Sequence, residues 1–160
     1  MPNLSQRTKI VSIWAPNAAA SADITSDVID TLGFDAVLIM VQFGTIAAGA
    51  VTNIQLAHAD AASNNTTLTS GANIAGSSQT VADDDDDQIF YMDVIEPTKR
   101  YLQVTVNKDA SNNVTESIIA ILYNSKSSQP TTHGAGGATI GEGEGSTQGE
   151  LLVHPIDGTI

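Results

Sequence analysis

The sequence predicts an all-β domain: a small antiparallel β-sandwich or jelly roll followed by an extended Gly-rich C-terminal arm. Three observations predict it. Apolar residues come in short bursts separated by Gly, Asn, Asp, Ser and Pro clusters, which is the rhythm of strands and turns. No stretch has the periodicity of a long amphipathic helix. Leu102, Val104 and Val106 alternate with Tyr101, Gln103 and Thr105, as the two faces of a strand do.

The length suits one domain with appendages, a core over residues 1–126 and an arm over residues 127–160. Strands are expected at Lys9–Trp14, Ser26–Asp30, Ala36–Phe43, Asn53–Ala59, Gln88–Ile95, Tyr101–Asn107 and Glu116–Asn124. In Tyr101–Asn107 one face should be buried and the other wet, and Ile54 and Leu56 alternate with Gln55 and Ala57 in the same way. Ala36–Val41 and Ile118–Leu122 are apolar on both faces. They fit central strands covered on two sides, or strands at a subunit contact. The Ala-rich stretches Asn17–Ala22 and Thr45–Val51 are too short to stand as helices and are expected to be loops. Asp, Ser and Asn in Asn107–Asn113 suit a turn, so Tyr101–Val106 and Glu116–Tyr123 are expected to pair as an antiparallel hairpin.

After Ser125 the composition changes. Ser127–Gly149 is rich in Ser, Thr, Gly and Gln and contains GAGGATIGEGEG, which buries too little apolar surface to hold a core. Yet it leads to Leu151, Leu152, Val153, His154, Pro155 and Ile156. A polar arm ending in an apolar segment suits a protein that clasps a neighbour, so Ile140, Leu151, Leu152, Val153 and Ile156 are the expected partner-binding residues.

Composition removes several function classes. The formal charge of −12 repels phosphate backbones, which argues against nucleic-acid binding and keeps an abundant protein dispersed. There is no cysteine, so disulfides and thiolate chemistry are excluded. Only 15% of residues are charged, so the surface is solvated mainly by Ser, Thr, Asn and Gln, as is common on virion and extracellular proteins. Met1–Lys9 lacks the apolar stretch of a signal peptide, and Ala36–Val41 is too short to span a bilayer. The product is expected to be soluble, with no membrane partner.

Little in the chain points to catalysis. His58, His133 and His154 have no metal-ligand spacing. Asp83–Asp87 is the most conspicuous run, and Asp83, Asp85 and Asp87 could offer oxygens to calcium. The run lacks the glycine and distal glutamate of an EF-hand, and adjacent like charges are usually a solvated loop. Asp93 and Glu96 could be posed as a glycosidase pair, but aromatic residues, on which sugar clefts stack, make up only 4%. No nucleophile elbow or phosphate loop is present. Trp14 reads as a lid on the core, and Lys99 and Arg100 as partners for local carboxylates. The expectation is a non-enzyme without cofactors.

Three blocks carry a resemblance: SDVIDTLGFDAVLIMV at Ser26–Val41, the strand exit Ile54–Asp60, and EPTKRYLQVTV at Glu96–Val106. Within this half of the chain the pattern resembles the capsid cement, or decoration, proteins of tailed bacteriophages. Asp83–Asp87 and the Gly-rich arm lie outside that pattern. The resemblance implies a virion protein on the outer capsid surface at symmetry axes, often a trimer, that bridges subunits of the major capsid protein and stabilises the head. The competing expectation is a receptor- or glycan-binding β-module of a tail fibre or adhesin.

Overall fold

The computed structural model describes residues 7–16, 18–47, 52–109 and 113–126, and these fold as twelve strands. They are β1 (Lys9–Trp14), β2 (Ile24–Thr25), β3 (Ile29–Asp30), β4 (Phe34–Ile46), β5 (Thr52–Ala59), β6 (Ala61–Asn64), β7 (Thr67–Thr69), β8 (Ala72–Asn73), β9 (Gln79–Val81), β10 (Ile89–Ile95), β11 (Tyr101–Asn107) and β12 (Asn113–Ser125). All pairings are antiparallel.

One sheet has the order β1-β12-β4-β10. A second runs β2-β11-β5-β8, with β3 also on β11 and β9 also on β5, and β6 pairs with β7 as a separate two-stranded sheet. With β2 and β3 taken as one broken strand, and β8 and β9 as another, successive strands exchange sheets except at the β5 to β8/β9 step, which is the order of a jelly roll. The chain is therefore an all-β sandwich, as its alternation predicts. The expected arm lies outside the described residues.

The inner faces meet in one core. Val11, Ile39, Val41, Phe43, Ile118 and Leu122 come from the four-stranded sheet, and Ile54, Leu56, Leu102, Val104 and Val106 from the other. Each such side chain stabilises the fold by about 1.5–3 kcal/mol on leaving water. Phe43 and Phe90 pack edge to face, with ring centroids 5.7 Å apart.

The expected hairpin of Tyr101–Val106 with Glu116–Tyr123 does not form. β11 pairs with β2, β3 and β5, whereas β12 pairs with β1 and β4 in the opposite sheet. The turn-prone residues between them make a crossover from one sheet to the other. Lys108 anchors that corner: its N–H donates to Asp23 Oδ1 at 2.7 Å, and its Nζ to Ala20 O at 3.2 Å. Burial there holds the Lys108 ammonium below its ordinary pKa, against the opposing pull of Asp23.

Two more expectations need correction. Ser26–Asp30 is not one strand: Ser26 still bonds Val104 of β11, but Asp27 N–H donates to Ile13 O at 2.9 Å and Val28 N–H to Asn65 O at 2.6 Å, so pairing with β11 resumes only at Ile29–Asp30. The second face of β11 is not wet, since Tyr101 and Gln103 are buried. Gln103 is satisfied there because its Nε2 donates to Ser26 O and Thr66 O at 2.7 and 2.8 Å.

Candidate docking surface

The outer face of the four-stranded sheet is the feature with functional potential. Registers place its outward side chains in four rows. Tyr123, Ala36 and Ile95 form the first, and Ile10, Ile121, Leu38 and Asp93 the second. Ser12, Ile119, Met40 and Tyr91 form the third, and Ser117, Gln42 and Ile89 the fourth. Leu38, Met40, Ile119 and Ile121 on the central strands β4 and β12 are only half-buried. Tyr91 and Ile95 on the edge strand β10 stand 65% and 67% exposed.

This is the physical content of the two-faced apolar runs. One face of β4 and β12 makes the core, and on the other Leu38, Met40, Ile119 and Ile121 keep part of their surface in water while Ala36 is buried among its neighbours. Asp93 is the charged side chain in these rows, and Tyr123 Oη donates to its Oδ1 at 2.6 Å. That hydrogen bond raises the Tyr123 phenol above its ordinary pKa, with burial and the carboxylate charge adding to it.

The residues singled out for chemistry are scattered. His58 lies on β5, with Nδ1 3.4 Å from Thr98 Oγ1, while His133 and His154 lie outside the described residues. The described residues contain no group of three or more His, Asp or Glu placed to hold a metal ion. Within the aspartate run, Asp85 Oδ2 accepts from Ala82 N–H at 2.9 Å and Asp86 Oδ1 from Ile46 N–H at 2.6 Å. Both carboxylates cap backbone N–H groups.

Glu96 follows β10 with φ of 50° and donates its N–H to Asp35 O. Lys99 and Arg100 do pair locally. Lys99 bonds Asp60, and Arg100 makes a two-pronged bond to Asp30 at 2.8 and 2.6 Å while stacking 4.8 Å from the Tyr101 ring centre. Trp14 packs against the core as a lid. The expected partner-binding residues Ile140, Leu151, Leu152, Val153 and Ile156 lie outside the described residues.

A second feature adjoins the face. Between β10 and the Ile74–Gln79 loop lies an open groove of about 410 Å³. Nothing in the sequence revealed it, because it depends on which strand ends at a sheet edge.

No family model matches the chain, and no curated protein matches it. Among solved structures it is similar to a chain of the infectious bursal disease virus Gt strain structure, with a TM-score of 0.41 and 10% identity. That likeness covers 76% of this chain and 34% of the viral one. It is also similar to Eiger TNF from S. frugiperda, with a TM-score of 0.34 and 10% identity, over 79% of this chain and 99% of that one.

Proposed function

We propose that this chain is a non-enzymatic structural virion protein that docks on the outer surface of a phage capsid, at symmetry axes, and bridges major capsid protein subunits, most simply as a trimer. The observation that carries the reading is the outward apolar face of β1, β12, β4 and β10. Contiguous apolar surface of this kind marks contact sites on soluble proteins. Its rows hold one charged side chain, Asp93, on a chain of formal charge −12, so the rest of the surface keeps copies apart until a matching surface is met.

Magnitudes favour a repeated contact over a single one. Four strands and six residues of strand length give a face of about 19 by 20 Å, or about 400 Å². A stable interface takes about 800 Å² per partner. The face supplies half of that, so lasting attachment requires symmetry-repeated contacts or a second element such as the arm.

The test is co-sedimentation with purified capsid shells, comparing the natural chain with Leu38→Asp and Ile121→Asp. The natural chain should pellet with shells, and each variant should stay folded and lose at least about ten-fold in shell affinity, which is about 1.4 kcal/mol. Shell binding that ignores both substitutions would remove the face from the mechanism. Binding to a glycan in place of shells would transfer the protein to the adhesin class.

A further inference from the structure

We propose that the free edge of β10, with the groove beside it, accepts Leu151–Ile156 of a second copy of this chain as an added strand. Among the described strands β10 pairs only with β4. Phe43 N–H donates to Gln88 O at 3.0 Å and Glu96 N–H to Asp35 O at 2.7 Å, so even-numbered residues bond toward β4. Alternation then turns the backbone groups of Tyr91, Asp93 and Ile95 outward. Gln79 Nε2 already donates to Tyr91 O at 3.1 Å, which places that carbonyl on the open side.

The groove lies between the sheets and is lined by Leu56 and Ile74 on one side and Met92 and Val94 on the other. An unpaired edge beside an apolar slot is the geometry of strand addition, in which main-chain bonds give affinity and alternate side chains fill the slot.

The segment ELLVHPI at 150–156 fits that geometry. Pro155 has no N–H, so in an added strand its nitrogen faces away from β10. Leu152 and His154 then bond the edge, and Leu151 and Val153 share the face that enters the slot.

Linker length favours a second copy, because capture is strongest where the linker's r.m.s. span matches the distance it bridges. An added strand on β10 would lie three strand spacings from β12, about 14 Å, which about four extended residues would close. Residues 127–150 intervene, and a Gly/Ser-rich stretch of that length has an r.m.s. span of about 25–30 Å. That approaches the width of a neighbouring domain, about 35 Å for a core of this size.

This inference rests on the clasping arm of the proposed function and supplies its acceptor. The test compares the full chain with a Leu151→Asp, Val153→Asp double variant, whose core sequence is untouched. Amide hydrogen exchange is read at Tyr91, Asp93 and Ile95, mass by light scattering, and shell binding in parallel. In the full chain those amides should exchange at least about ten-fold more slowly than in the variant, and the mass should be a multiple of the chain mass that the variant loses. Edge exchange unmoved by the substitutions would overturn the acceptor, and shell binding that persisted would leave the docking reading standing. Edge protection at monomer mass would overturn the exchange between copies. Protection with a multiple mass but no shell binding would uphold the clasp and sink the docking reading.

Discussion

Asp27 sits in the gap between β2 and β3, where its N–H donates to Ile13 O at 2.9 Å. Burial raises its carboxyl above the ordinary value of 3.8. Between 3.8 and that raised value the folded chain binds more protons than the unfolded one, so stability falls as pH rises through the window. The cost is complete at neutral pH and absent below 3.8. Asp27→Asn should therefore raise the melting temperature at pH 7, with the difference closing below pH 3.8. Equal melting at pH 7 would show that the carboxylate is not desolvated. The sequence could not flag this residue, since only the third dimension brings Ile13 beside it. It did identify Lys99 and Arg100 as local partners of carboxylates, because a chain with 18 acids and 6 bases offers a carboxylate near almost any cation.

Among the elements, the turn into β4 depends on one glycine. Phe34 N–H donates to Thr31 O at 3.0 Å across Leu32 and Gly33, and Gly33 has φ of 89°. The left-handed position of such a turn suits glycine. Nothing crowds a Cβ at Gly33, so Gly33→Ala should cost only backbone strain, about 1–2 kcal/mol. Urea unfolding would measure it, and an unchanged midpoint would mean that the turn relaxes freely. Strands with a buried face were legible at this scale. Lys9–Trp14 and Tyr101–Asn107 appear with their expected bounds, and β4, β5, β10 and β12 differ only at their ends. The short strands β6, β7, β8 and β9 were not legible, because they are mostly exposed and Ser-, Thr- and Asn-rich, without apolar alternation. Hairpin pairing of β11 with β12 was misread for a related reason. Turn residues mark where a strand ends without saying which sheet the next one joins.

At the scale of the molecule, the sandwich class followed from alternation, whereas strand order did not, because every sandwich topology buries the same alternating residues. That order sets what surrounds the docking face: apolar rows in the middle, and a chain of charge −12 around them. Two such chains repel over a distance set by salt. The screening length is about 30 Å at 0.01 M and about 8 Å at 0.15 M, so at low salt the repulsion spans most of a domain and at physiological salt only its rim. The proposed contact between copies gains nothing from low salt, because Leu151 and Val153 and the slot beside β10 are apolar, and Asp93 on that edge is already bonded by Tyr123. Association of copies should therefore tighten as salt rises from about 0.01 to 0.15 M, seen as a rising light-scattering mass at fixed protein concentration. A contact held by ion pairs would give the opposite trend. A mass that falls with added salt would therefore replace the apolar contact at the β10 edge by one made at the Lys99 and Arg100 end of the molecule.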